Sequence, residues 1–504
     1  MKKLKTYDVL SIFIILIFLI VTVSRYDLYP VFVDIYYHLS VTLSFDKAGG
    51  IVLWDFWEFA PEGRVHLYPP FLHCLMLLLS EGSDYVAVGK FISFVMFPAS
   101  QVTAWVFCRE ILSRKTAFYA LLILSSSLMY FKLQAVTSAA ALVLVIIPLL
   151  FYAFEKGKYI ASVILLTVCL YTHVGFGPTA LSAFAMYSIL HREKARDAAK
   201  VIAASLILYI PWGIHVVAHM EYLSAASPPS PGSLIVIPWI LGTIGFFLCL
   251  QRRKEFLIPV SLFVCMFPMA FTYWGRFTGH SMLPLAILSG VTLAHLDEKL
   301  KGSQRTVFVI ASLLVLSFVA PTVGVQSERR MQPQHAPQES TQQGSMQQRL
   351  PPRSQARLTL NLRSLLLSLP QMPSDSYLTP DNLMMAEIIK RTSQENEIVF
   401  IPGGIMGCFV TAMTGRPQLL GMWQEVAADY EPDPKSASLF VMPKGRRMPT
   451  QLVNVGETEE WAIFKAPQKK VVNIPEATVG KAFIYVGMLI ALGALLYDLS
   501  GVRK

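Results

Sequence analysis

The stretch that decides the fold is DVLSIFIILIFLIVTVSRYDLYPVFVDIYYHL, residues 8–39. Its first part is a nearly uncharged run, long enough to cross roughly 30 Å of hydrocarbon as one helix. Its end is different in kind. A carboxylate, Asp34, and a histidine, His38, enclose Tyr36 and Tyr37 just where the chain leaves the apolar run. An ordinary connecting loop needs no such group. A site that activates a hydroxyl at a lipid surface needs a base held at that boundary.

Outward from this stretch the composition is that of a membrane protein. The chain has 504 residues, of which 54% are hydrophobic and 15% charged, and a mean hydropathy of +0.50. A soluble domain usually carries about 25% charged residues. The net charge of +10 would suggest nucleic acid in a soluble protein. Here the Lys and Arg cluster in short connections between apolar runs, which signals membrane orientation and implies no nucleic-acid partner. Six scattered cysteines show no C-x-x-C pair, hence no disulfide framework or zinc site. The N-terminus is basic and then apolar but lacks a small-residue cleavage site, so it reads as a retained span.

Apolar runs place spans near 8–25, 84–107, 117–131, 137–153, 159–172, 177–190, 201–218, 233–250, 255–272, 281–296, 305–322 and 480–498, an all-α polytopic membrane protein. The stretch YPPFLHCLMLLLS (68–80) is short, and its Pro-Pro start suits a helix lying in the interface. Orientation supports leaving it unspanned. The basic residues near the N-terminus, 109–115, 156–158, 191–200, 251–255, 297–305 and 501–504 then all face one side. Counting 68–80 as a span would invert everything after it, against the positive-inside rule. The expected location is the cell membrane, with both termini cytoplasmic and residues 325–478 extracytoplasmic. The same parity puts Asp34, Glu58, Glu62, Arg64, His66, His173, Glu221, Arg276 and His280 on one extracytoplasmic face.

The expected domains are a membrane domain over 1–324, with an external loop over 26–83, and then a linker over 325–357. That linker is rich in Gln, Pro and Ser and cannot bury enough surface to fold. A small extracytoplasmic α/β domain over 358–478 follows, and then a last transmembrane helix over 479–504. Within the α/β region, Thr379 with Pro380 marks a helix start. EIVFI (397–401), SLFVMP, QLVNV and EWAIFKA read as strands, with IMGCFVTAM helical after the Gly-Gly turn.

The first external loop, VDIYYHLSVTLSFDKAGGIVLWDFWEFAPEGRVHLYPPF, combines Asp34, the Tyr-Tyr-His run, a Gly-Gly turn and EFAPEGRVHLYPP. This order resembles the corresponding loop of GT-C membrane glycosyltransferases, closest to archaeal-type oligosaccharyltransferase catalytic subunits. The resemblance implies transfer of a sugar from a polyprenyl (dolichyl) phosphate carrier to an extracytoplasmic acceptor, protein or lipid, with inversion at the anomeric carbon. Two motifs of that family are replaced. The short loop after the third span reads FKLQAVTS, with Lys132 and no carboxylate, and the strand at 397–401 is followed by PGGIMG in place of a Trp-Trp-Asp-Tyr-Gly motif. Both departures favour a divergent relative, such as a protein O-mannosyltransferase-like enzyme, over asparagine-linked oligosaccharide transfer.

Glycosyl transfer needs a base for the incoming nucleophile and a counter-charge for the departing phosphate. Asp34 is the expected base. It is also a candidate ligand for a divalent cation, magnesium or manganese, for which the sequence shows no second ligand. Arg276 and Arg64 are the expected phosphate-binding groups, since a guanidinium fork matches phosphate geometry. His38, Tyr37, Glu58, His66 and His173 are expected to support the acceptor or the phosphate. Each also has a plainer reading. Asp34 could be solvated, Glu58 part of an interfacial helix over WDFWEF, Tyr37 an interfacial aromatic, His173 a helix-end hydrogen bonder, and Arg276 a side chain reaching to the headgroups. From another class, the chain could be a transporter or an envelope-assembly scaffold, but its spans carry few of the polar groups a transport path requires.

Overall fold

A computed structural model of the chain describes residues 5–24, 26, 34–223, 233–272, 274–318, 320–324, 355–359, 377–422, 433–446 and 451–500. Most of the expected linker at 325–357 lies outside the described residues. The opening apolar run forms α1 (Thr6–Val23), whose Phe13, Leu16 and Ile20 point away from the protein. Such a row of exposed large apolar side chains is stable only against lipid or a partner.

The external loop contributes α2 (Asp34–Ala48), β1 (Gly50–Ile51), β2 (Trp54–Asp55), β3 (Arg64–Val65) and α3 (Phe71–Ser80). Ten residues of α3 rise only about 15 Å, too little to cross hydrocarbon. It buries Leu72, His73, Met76 and Leu77 while packing on α2. The chain continues with α4 (Tyr85–Phe107), α5 (Arg114–Ser126), α6 (Leu128–Gln134), α7 (Ala139–Glu155), α8 (Tyr159–Thr172), α9 (Phe176–Leu190) and α10 (Ala195–Ala218). After β4 (Ser233–Ile235) come α11 (Val236–Leu250), α12 (Leu257–Met266), α13 (Met269–Thr272), α14 (Trp274–His280), α15 (Met282–Lys299) and α16 (Gly302–Phe318). Among the described residues, five helical stretches are long and apolar enough to cross a bilayer: 6–23, 85–112, 192–218, 254–271, which is interrupted at Pro268, and 481–500.

Two expected spans are broken. The run at 117–131 divides at Ser127, which leaves the helix at ψ 103° and caps α6 by accepting from the Tyr130 amide at 3.3 Å. The run at 255–272 divides at Pro268, whose ring removes an amide and obstructs the preceding turn. Hydropathy alone registers neither break. After the second one come the short helices α13 and α14, and α14 carries Arg276.

Ion pairs at the end where α1 begins agree with the expected parity. Asp297 of α15 takes Tyr7 Oη and Lys115 Nζ, each at 2.7 Å, and Asp8 takes Arg109 at 2.8 Å and Arg114 at 3.1 Å.

Beyond β5 (Ala320–Gly324) and β6 (Gln355–Thr359) lies the α/β unit, with α17 (Pro380–Thr392), β7 (Val399–Phe400), α18 (Gly404–Thr414), β8 (Leu439–Pro443), β9 (Val453–Glu457) and β10 (Trp461–Lys465). The Thr379 hydroxyl accepts from the Asn382 amide at 3.1 Å, capping α17 as its sequence leads one to expect. The sheet order is β7-β8-β10-β9. Leu439–Met442 are all buried, as befits an inner strand, and β9 at the edge is largely exposed. Finally β11 (Val479–Gly480) pairs with β1, Gly50 opposite Gly480, and leads into α19 (Lys481–Ser500). The last helix is thereby tied to the first external loop.

Candidate active site

α2 is the centre of the site, and it is unusual in being buried nearly all round. Residues 35–42 are inside despite Ser40, Thr42 and two aromatic hydroxyls. A helix buried on every side must satisfy its polar groups internally. Ser40, Thr42 and Ser44 do so by donating to the carbonyls four residues back, each at 2.7 Å. Ser40 also donates to the Cys408 carbonyl of α18 at 2.9 Å. Tyr36 packs edge-on against Phe409 at 5.1 Å. The α/β unit therefore forms one wall of α2.

Asp34 opens α2 and stays reachable. Its Oδ2 lies 3.4 Å from Arg276 Nη2, with the side chains 22% and 35% exposed, respectively. The pair joins residues 242 apart in sequence. Arg276 is held there on α14, which is anchored by buried Phe277 against Trp239 and Phe267. A partly exposed pair of this kind can exchange its internal partner for a ligand.

One turn further along α2, His38 Nδ1 lies 2.9 Å from His73 Nε2 of α3, so a single proton serves the two nitrogens. Burial, with Arg276 adding to it, pushes His38 down to about 3. Burial and the charges of Arg64 and His215 bring His66 to about 3 as well. His73 is driven well below the ordinary histidine range by burial and then by His38 and His66. All three are neutral at physiological pH. Tyr37 packs against His38, Tyr68 and His73 at 5.6–6.2 Å between ring centroids. Tyr68 bridges His38 (5.6 Å) to His173 (6.1 Å), and Phe176 continues from His173 to His280. His173 Nδ1 accepts from the Gly175 and Phe176 amides, so this ring also caps the start of α9. His66 packs on Trp57 at 5.5 Å, and its carbonyl accepts from His215 Nε2 at 2.9 Å.

Arg64 and Glu58 belong to a second, closed cluster. Arg64 is 2% exposed, pairs with Glu58, and places Nε 3.4 Å from Asp55 Oδ2. Glu58 also accepts from the Met422 amide at 2.9 Å and from the Cys408 thiol at 3.0 Å. Burial and the neighbouring Glu58 charge push Asp55 up, against Arg64. Burial and Glu58 raise Cys408 likewise, which keeps the thiol a donor. These groups bolt the external loop to the α/β unit. They leave Arg64 no open face toward a phosphate.

Among the described residues the donor set does not suit a divalent ion: Asp34 faces a guanidinium, Lys132, expected in a loop, lies exposed on helix α6, and no cluster of three or more His, Cys, Asp or Glu could hold a metal ion. His73, Tyr68 and Asp55 join these clusters although the sequence reading did not single them out for the site. One signal was available. Eight of the ten histidines, at 38, 66, 73, 173, 215, 219, 280 and 335, fall on the face that carries Asp34 by parity.

No protein-family profile and no curated protein matches the sequence. Solved structures do match. The oligosaccharyltransferase AglB of Archaeoglobus fulgidus, in complex with an inhibitory peptide and a dolichol-phosphate, superposes with a TM-score of 0.58 at 9% identity, over 86% of this chain and 69% of that one. ArnT of Cupriavidus metallidurans bound to undecaprenyl phosphate gives 0.56 at 12% identity, over 93% and 99%. Its apo state gives 0.54 at 12% identity, over 88% and 94%. Both neighbours are GT-C membrane glycosyltransferases, and the chain has their fold.

Proposed function

We propose that this chain, with a GT-C fold and a reachable carboxylate–guanidinium pair at the start of its external loop, is a membrane glycosyltransferase that uses a polyprenyl-phosphate-linked sugar. The observation that carries this reading is the Asp34–Arg276 pair, assembled from distant parts of the sequence at 3.4 Å. Arg276 binds the phosphate of the donor through its fork. Asp34, freed from the guanidinium, takes the proton of the acceptor hydroxyl. The acceptor oxygen then bonds to the anomeric carbon from the face opposite the phosphate. The carbon–oxygen bond to phosphate breaks, its electron pair passes to the leaving oxygen, and Arg276 offsets the charge that develops there. His38 and Tyr37 follow Asp34 on α2, and Tyr68 links them to His173; in this reading these side chains support the acceptor. Arg64 and Glu58 act only by fixing the loop.

The test is turnover of polyprenyl-phosphate-linked sugar by Asp34→Asn in proteoliposomes. A loss of about 10²–10⁴-fold with normal membrane insertion supports the reading, and an active variant rejects it.

Oligosaccharyl transfer to asparagine remains the alternative, favoured by the likeness to AglB over most of this chain. Against it, the segment after β7 is closed. A side chain at Gly404 would meet the Gly421 carbonyl at 2.2 Å, and one at Gly407 would strike Gln418. An Asn-x-Thr peptide assayed with a lipid-linked glycan separates the two.

A further inference from the structure

At the end of the bundle where α1 begins, the α4–α5 connection, the α11–α12 connection and the end of α15 enclose an open cleft of about 510 Å³. We propose that this cleft binds the headgroup of an anionic phosphodiester lipid bearing free hydroxyls, of the phosphatidylglycerol type. The inference needs the bundle to lie in a bilayer and is independent of the transfer reaction.

Several cations at this end are neutralised internally. Arg109, Arg114, Lys115 and Arg305 are each paired with Asp8, Glu110 or Asp297. Arg252 and Arg253, which line the cleft, have no carboxylate within ion-pair distance among the described residues. They are nevertheless held in place. Both guanidiniums lie over the Phe256 ring, at 5.2 and 5.8 Å from its centroid, and Arg252 Nη2 is 3.1 Å from His295 Nδ1. Two adjacent, oriented guanidiniums without an internal counter-ion match a phosphodiester, which a guanidinium binds through paired hydrogen bonds.

The walls distinguish a lipid from a free anion. Leu112 and buried Phe256 supply apolar lining, and the neighbouring Leu250 and Leu296 are exposed on the outer surface of their helices. The cleft thus lies at the boundary where acyl chains would run down the helices while the phosphate meets the arginines. Glu298 on the lining leaves the site a net single positive charge together with Arg252 and Arg253. A monoanionic diester balances that charge, and its headgroup hydroxyls can donate to Glu298.

The experiment is native mass spectrometry of the full-length protein titrated with phosphatidylglycerol, phosphatidylcholine or inorganic phosphate. Wild type is expected to retain one phosphatidylglycerol in preference to phosphatidylcholine, with inorganic phosphate failing to displace it. Each basic side chain at a membrane surface contributes a factor of about five. Arg253→Gln, an exposed position, should therefore weaken retention about fivefold, and R252Q/R253Q by a factor on the order of thirty. Arg253→Gln keeps the test decisive should the double variant misfold. Equal retention of phosphatidylcholine, displacement by inorganic phosphate, or unchanged retention in Arg253→Gln would each overturn the assignment.

Discussion

Asp34 and Arg276 neutralise each other at 3.4 Å while both remain partly exposed, so each is poised to change partner. Arg276→Gln should lower kcat/KM for the lipid-linked donor about 10²–10³-fold, the size seen when one group stabilising a developing negative charge is removed. Arg276→Lys keeps the charge without the planar fork and should fall between. The Asp34→Asn/Arg276→Gln double variant should be scarcely worse than the poorer single, because the two act as a unit. Steady-state kinetics with varied donor reads all three, and additive losses would separate the residues' roles. That the two share one face was legible from sequence, since each is a polar group beside an apolar run. Arg64 and Glu58 read just as functional there. Only the arrival of Cys408 and Met422, some 350 positions later, turns them into a closed structural cluster.

That cluster shows how elements from distant parts of the chain stabilise one another. Arg64 serves two buried carboxylates, so Arg64→Met strands both and should cost about 3–5 kcal/mol, the penalty for breaking a buried pair from one side. Thermal unfolding of the purified protein measures this, and Asp34→Asn should leave the midpoint in place. The buried histidines of the α2–α3 pair and its neighbour make a second, pH-dependent contribution. His38 and His66 sit at about 3 when folded, because burial disfavours the charged ring. Unfolded, they take up protons near the ordinary value of about 6.5. A depressed folded value means stability is complete above about 6.5 and is lost as pH falls from there toward 3, by up to about 1.4 kcal/mol per pH unit for each ring. Unfolding midpoints should therefore drop between about pH 7 and 5, and His66→Phe should flatten the drop. The outline of these elements was visible in hydropathy and capping signals. The pairing of His38 with His73 was not, because His73 is embedded in an apolar run and its partner is 35 residues away. The breaks at Ser127 and Pro268 were hidden for a related reason: averaging over a window dilutes the one residue that interrupts a helix.

At the scale of the whole molecule, parity is what joins sequence to site. The order of apolar runs sorts every connection to one of two ends. The contacts agree at both, with Asp8, Lys115 and Asp297 together at one and Asp34, Arg276 and the β1–β11 pair at the other. Which end faces the cytoplasm follows from a different argument, the concentration of Lys and Arg in short connections such as 251–255. The two arguments are separable, so orientation can be tested alone. Five cysteines are buried and Cys265 is partly so, which makes Cys265→Ser a quiet parent for labelling. Glu459 of the α/β unit and Lys254 of the α11–α12 connection are both exposed. On intact cells, a membrane-impermeant maleimide should label Glu459→Cys and spare Lys254→Cys, and permeabilisation should expose both. The reverse pattern would leave the internal contacts intact yet place Asp34 on the cytoplasmic side. An acceptor outside the cell could then never reach it.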